Sequence, residues 1–210
     1  MKRISFAAAI FLLCICNLHS QDKISVELTG GIISPVKSLN NGLSGTLQFN
    51  YHLLPNHYLY VSASSSSWDR NKVIINVPGG RNLTRYSEVG HSLYSYRLGD
   101  RFTFFTGKMF NLFADVEAGY SKLSYTSNIL SSFTDLDGSI NYSTDYRAPE
   151  NIIEHLFGLG IGAGIVHNIN YNFLLQLSVK FNSYVNSYYN GLFGSRNTYF
   201  IYNAGIIYQL

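Results

Sequence analysis

The sequence predicts an all-β chain: an eight-stranded antiparallel up-and-down β-barrel that crosses a membrane. Three observations predict it. Apolar and polar residues alternate at period two in eight runs, most of about ten residues. The connections between the runs alternate long and short. Beyond an export segment, no window of eighteen apolar residues offers a spanning helix.

Residues 1–20 read as a signal peptide and residues 21–210 as a single barrel domain. Lys2 and Arg3 form the charged n-region, Ile4 through Ile15 the apolar stretch, and Asn17-Leu18-His19-Ser20 the polar exit before Gln21. Cys14 and Cys16 raise acylation as an alternative, but Leu13 and Ile15 stand where a lipobox wants small residues. Both cysteines leave with the signal, so the exported domain must be held by its own core, a metal or a membrane.

Removal of Lys2 and Arg3 lowers the formal charge from +3 to about +1, a near balance that argues against nucleic acid as a partner. Charged residues are 13 % of the chain, against about 25 % in ordinary soluble domains. Together with 17 Tyr and 14 Phe, this suits a β surface in contact with lipid, and also a soluble β-sandwich. Composition leaves that choice open.

The first run, Lys23–Ile33, sets Ile24, Val26, Leu28 and Ile32 against Ser25, Glu27 and Thr29. Leu43–Leu53 sets Leu43, Leu47, Phe49 and Tyr51 against Thr46, Gln48, Asn50 and His52. Tyr58–Trp68 is the weakest, with Leu59, Val61 and Ala63 among serines. In His91–Thr106, Tyr94, Tyr96, Leu98, Phe102 and Phe104 oppose Ser95, Arg97, Arg101 and Thr103. Leu112–Tyr125 places Leu112, Ala114, Val116, Ala118 and Tyr120 opposite Asp115, Glu117 and Ser121. Ile153–Val166 alternates Phe157, Leu159, Ile161, Ala163 and Ile165 with Gly158, Gly160, Gly162 and Gly164. Asn172–Val185 sets Phe173, Leu175, Leu177, Val179 and Phe181 against Gln176, Ser178, Lys180 and Asn182. In the last run Phe200, Tyr202, Ala204, Ile206, Tyr208 and Leu210 face away from Asn203, Gly205 and Gln209.

Between these runs lie gaps of about 10, 4, 22, 5, 27, 5 and 12 residues. Membrane barrels alternate in this way because one rim carries tight periplasmic turns and the other longer external loops. Leu54–His57, Gly107–Asn111 and His167–Tyr171 read as the tight turns, which puts both termini on the same rim. A soluble sandwich has no reason to alternate, and its strands are shorter. Aromatics near that rim (Tyr51, Tyr58, Tyr60, Phe105, Phe110, Tyr171, Phe173 and Tyr208) predict a girdle at headgroup level.

The signal segment, the eight runs, the turn-and-loop alternation and a closing strand at Tyr199–Leu210 resemble the small outer-membrane β-barrels of the OmpA and OmpX type. The resemblance implies a bacterial outer-membrane location, lipid and lipopolysaccharide as neighbours, and a C-terminal strand read by barrel-assembly machinery. Such strands usually end in an aromatic; here Leu210 is last and Tyr208 lies two places earlier on the same face. That family holds adhesins, structural anchors and small enzymes, so it implies location more than activity.

An eight-stranded barrel is just wide enough to be filled by side chains. Glu27, Asp115 and Glu117 then face inward with Arg97, Arg101, Lys180, Gln48 and Gln176, and buried charges must pair. We therefore read them as a polar plug, in preference to a catalytic pair at Asp115 and Glu117. The glycine file of the sixth run makes room for long Arg or Tyr side chains from across the barrel. His91 and Ser92 point to opposite faces of a strand and cannot form a dyad. His52, His57 and His167 fall at short turns, and His155 beside Glu154 nearer the far rim. Asp135-Leu136-Asp137-Gly138 departs from a calcium loop, with Gly at the fourth place and Tyr146 at the twelfth.

Trp68–Glu88 reads as a hairpin prolonging two strands, with its turn at Pro78-Gly79-Gly80. Its Arg70, Lys72, Arg81 and Arg85 would meet lipopolysaccharide phosphates, a partner protein or solvent. No residue set is assigned as catalytic, cofactor-binding or metal-ligating. The function expected is a non-enzymatic barrel whose external loops, 69–90 and 126–152, bind an extracellular protein or glycan or brace the envelope. The rivals are a lipid-modifying barrel enzyme using His155 and Glu154, a narrow pore, and a soluble β-sandwich or lipocalin-like carrier.

Overall fold

The structure, a computed structural model, describes residues 24–36, 40–70, 85–134, 136, 140–185 and 198–210. The signal segment, the hairpin turn at 78–80 and three of the four residues of the calcium reading (135, 137 and 138) lie outside them.

Eight strands form one closed antiparallel sheet in chain order, with β1 pairing back onto β8. They are β1 (Ile24–Pro35), β2 (Gly42–Leu54), β3 (His57–Arg70), β4 (Arg85–Thr106), β5 (Phe110–Thr134), β6 (Ile140–Asn168), β7 (Phe173–Tyr184) and β8 (Tyr199–Gln209). Closure removes every edge over the height of the barrel, so each backbone group there is paired. Burial alternates residue by residue, as in β7, where Leu174, Gln176 and Lys180 are buried while Leu175, Leu177 and Val179 are exposed.

One rim carries the tight turns and both ends of the sheet. Pro55 presets its own φ, and Asn56 takes φ 70°, the left-handed conformation that Asn tolerates better than most residues. At 169–172, Asn170 Oδ1 accepts the amides of Asn172 and Phe173 at 3.0 and 2.8 Å, a side chain standing in for a backbone turn.

The other rim differs from the sequence expectation. Residues 126–152, expected as a loop, are largely strand: β5 runs to Thr134 and β6 begins at Ile140. The two pair from Phe110↔His167 up to Thr134↔Ile140, with one register shift between Ser127 and Ile129. The reason is physical. Beyond the barrel wall both faces of a hairpin meet the same medium, so nothing enforces an apolar–polar period, and the sequence signal for a strand vanishes. The prolongation of β3 and β4 expected over 69–90 is present to Arg70 and from Arg85.

Candidate functional site

The interior is built in layers. Next to the short-turn rim, Phe113, Val166, Leu174 and Ile207 form an apolar floor. The Arg101 guanidinium lies over the Phe113 ring, 4.0 Å from its centroid. Arg101 then organises the layer above. Its Nε donates to Asp115 Oδ1 at 2.9 Å, and Nη1 donates to Glu27 Oε2 and to Gln176 Oε1, both at 2.9 Å. Gln176 Nε2 donates to Glu27 Oε1 at 2.6 Å, and Gln48 Nε2 to Asn50 Oδ1 at 2.7 Å.

A second cation completes the belt. Lys180 Nζ donates to Glu117 Oε2 at 2.9 Å and lies 3.7 Å from Asp115 Oδ2. Tyr60 donates its hydroxyl to Glu117 Oε2 at 2.8 Å. Arg97 lies 4.0 Å from Glu117 and donates Nη2 to the Tyr184 hydroxyl at 2.9 Å. Three carboxylates thus meet three cations in a space closed to solvent, the arrangement that buried charge requires. Asp115 and Glu117, adjacent on one face as the sequence indicated, are each held by a cation. Beside Arg97 is a cavity of about 20 Å³, room for about one water molecule. Arg97 Nη1, Asn182 Oδ1 and Asn203 Oδ1, among its lining residues, have no protein partner.

Toward the long-connection rim the filling becomes apolar again. Ile33, Leu93, Leu123, Leu156 and Ile201 pack with Trp68, Tyr125, Tyr184 and Tyr199. His91 is buried among them, stacked on Trp68 at 5.2 Å and on Tyr125 at 4.8 Å. Sequence reasoning named the polar belt and missed these apolar caps. Their signal was present: Leu93, Leu123 and Leu156 share the parity of Arg97, Asp115 and Gly158.

Outside, the wall is apolar. On β5 the outward residues Phe110, Leu112, Ala114, Val116, Ala118 and Tyr120 precede Lys122, the first outward charge. From Phe110 to Tyr120 the strand rises about 33 Å, or about 25 Å along the axis at a tilt of about 40°. That is the height of a lipid-facing band. One acid interrupts it: Asp100, which sequence reasoning passed over, faces outward and meets His57 Nδ1 at 3.0 Å.

At the far rim a cleft of about 540 Å³ opens where β2, β3 and β4 leave the wall. Asn40, Asn41 and Leu43 line one side, Ser67, Trp68 and Asp69 the middle, and Gly90, His91 and Ser92 the other. A bulge shapes it. The register of β3 and β4 shifts beyond Trp68, and that of β4 and β5 shifts between Val89 and Ser92. Gly90 takes φ +66°, which suits glycine, and donates its amide to Asp69 Oδ1 at 2.8 Å.

No family model matches the chain, and no curated protein matches it. Solved structures do. Neisserial surface protein A superposes with a TM-score of 0.53 at 14 % identity, over 91 % of this chain and 98 % of that one. A major outer membrane protein from Thermus thermophilus gives 0.53 at 12 % identity, over 88 % and 98 %. This chain has the fold of the small outer-membrane β-barrels.

Within that outer-membrane barrel fold, several sequence assignments change. Tyr60, expected in the aromatic girdle, is 1 % exposed; its ring lies over Gly99, where a Cβ would come within 2.4 Å of it. Phe105, Phe110, Tyr171, Phe173 and Tyr208 are exposed at the short-turn rim, where the girdle was expected. The glycine file makes room for its immediate neighbours on β5 and β7, not for side chains from across the barrel: Gly158 faces Tyr184, Gly160 Glu117 and Asn182, Gly162 Lys180, and Gly164 Phe113. His155 and Glu154 are not brought together, because adjacent strand residues point to opposite faces. His155 is exposed against the Tyr120 hydroxyl, and Glu154 accepts the Tyr125 hydroxyl at 3.0 Å. His52 stacks on Tyr58, and His167 meets Phe110 and the Met109 carbonyl, at the short turns.

Proposed function

We propose that this protein resides in the bacterial outer membrane as a closed, non-enzymatic barrel that works through its outward-projecting rim. The observation that carries this reading is the filled, charge-paired interior. Three acids and three bases are paired between two apolar caps, so among the described residues the lumen offers no open path and no accessible reactive group. A barrel that cannot use its lumen must act by its wall and its rim.

The apolar band supports membrane residence. Leu43, Leu98 and Ile161 are 72 %, 62 % and 60 % exposed, a cost that a water-soluble fold would not carry around its whole circumference. Outer-membrane lipid and lipopolysaccharide would cover that band. The tight turns and both chain ends would lie in the periplasm, and strand β8 would be the segment read during assembly. The connections over 69–90 and 126–152, reached by strands that run on to Arg70, from Arg85, to Thr134 and from Ile140, would present the binding surface to an extracellular protein or glycan, or brace the envelope.

Envelope fractionation of the native host tests this, followed by comparison of unheated and boiled samples of the detergent-extracted protein on a gel. Recovery with the outer membrane and a mobility shift on boiling are expected. A soluble periplasmic protein with no shift would refute the proposal.

A further inference from the structure

We propose that one lipid A molecule of the outer leaflet docks on the outer wall over β2–β6, with a phosphate on Lys122 and His155 and an acyl chain in the groove beneath them. This rests on the reading of the protein as an outer-membrane barrel with its long connections outside, and it names a lipid partner and the residues that hold it.

The anion end is set by register. Lys122 is the first outward charge beyond the apolar band of β5, and it is exposed. It stands two residues past Tyr120, about 5 Å higher along the axis at a tilt of about 40°, which is headgroup level. His155 lies directly across from it on β6, and Tyr94 directly across on β4. His155 is exposed as well, its ring stacked on Tyr120 at 5.9 Å and its Nδ1 hydrogen-bonded to the Tyr120 hydroxyl. A hydroxyl that donates to Nδ1 keeps the ring proton on Nε2, where it is a donor. Glu154, the next residue in the chain, turns away from this face and accepts the Tyr125 hydroxyl at 3.0 Å. An ammonium and an imidazole facing lipid at headgroup level complement an anion, and the anion that a membrane presents there is a phosphate.

The acyl end lies directly below. A groove of about 660 Å³ runs along the lipid side of the wall. Small side chains at Ala63 and Ala118 open it between Leu47, Phe49, Leu98 and Phe157. Ser62 and Arg97 also border it, but both side chains are buried in the barrel, so the surface offered outward is apolar. Ala118 is on the same strand as Lys122 and four residues below it, about 10 Å along the axis. One lipid therefore reaches both places, with its phosphate on the basic pair and its chain in the groove. Ala118 is also near the top of the band that runs from Phe110 to Tyr120, in the half that faces the long connections. On that side an outer membrane presents lipopolysaccharide, which commits the partner to lipid A.

The full-length exported protein in detergent micelles is titrated with lipid A and read by native mass spectrometry. Saturable retention of one lipid A per barrel is expected, with far weaker retention of phosphatidylcholine and of lipid A stripped of its phosphates. Lys122→Ala and His155→Ala should each weaken retention about tenfold, the loss of one hydrogen bond to a charged group, while Lys122→Arg keeps it. Ala118→Phe fills the groove, leaves both basic side chains in place, and should weaken retention too. Lys108→Ala, the same loss of charge at an exposed position of the opposite rim, should leave it unchanged.

Each variant is checked for the boiling-dependent gel shift, and the Lys122 and His155 variants carry the test if Ala118→Phe does not assemble. Equal retention of phosphatidylcholine or of the stripped lipid would reduce the groove to ordinary lipid packing. Equal retention of phosphatidylglycerol would take the site away from lipid A, and unchanged affinity in Lys122→Ala would remove the phosphate contact; each of these overturns the proposal. A folded outer-membrane protein that retains no lipid A sinks this inference alone; a soluble protein sinks the reading on which it rests.

Discussion

At the residue scale the decisive side chain is Arg101. It is a fork meeting two carboxylates and an amide at 2.9 Å, stacked on Phe113, where a lysine would offer only a point charge. Taking Arg101 away leaves Glu27 and Asp115 buried with Lys180, Gln48 and Gln176 as their remaining partners. Breaking a buried pair from one side costs about 3–5 kcal/mol. Arg101→Met should therefore lower the unfolding free energy by about that amount in urea titrations in lipid vesicles. Arg101→Lys should cost less. Equal stability of the methionine variant would mean that the belt is not what holds the barrel interior. The glycines obey the same logic of space: at Gly164 a Cβ would come within 2.4 Å of the Phe113 ring, and Phe113 is fully enclosed.

At the scale of elements, the hairpin of β5 and β6 separates a part that builds the barrel from a part that projects beyond it. Its two strands pair with each other to Thr134↔Ile140, whereas β7 follows β6 only from Gly158 to Asn168. On its other side β4 accompanies β5 up to Arg85↔Leu130, so it is the part beyond Leu130 that adds little to closure. Replacing residues 132–142 with a two-residue Asn-Gly turn between the paired Ser131 and Ser143 should leave the boiling-dependent gel shift and the urea midpoint unchanged. Failure to assemble in the membrane would show that the projection takes part in folding. The alternation of the sequence reaches to where this boundary lies, because period two is the imprint of two unlike media on the two faces of a strand.

At the scale of the whole molecule, the barrel is a wall with an apolar outside and a neutralised inside. Glu27, Asp115 and Glu117 balance Arg97, Arg101 and Lys180, so the interior carries no formal net charge and gives ions no reason to enter. In planar bilayers the purified protein should show a closed baseline. Discrete, reproducible conductance steps from the unmodified protein would reveal an open path through the belt.

The sequence by itself determined the alternation of outward and inward faces, the number of strands, the tight turns and the charged members of the polar belt. It could do so because each of these is a local consequence of period two, chain reach and turn chemistry. Only the tertiary structure decided who meets whom. That Arg101 bridges Glu27 and Asp115, that Tyr60 leaves the girdle for Glu117, and that Asp100 finds His57 all depend on register between strands. The rim cleft is equally invisible in the chain: Asn41, Asp69 and His91 come together only because β3 and β4 slip at a bulge beside β2. Register is fixed when the sheet closes on itself, and closure is a property of all eight strands at once.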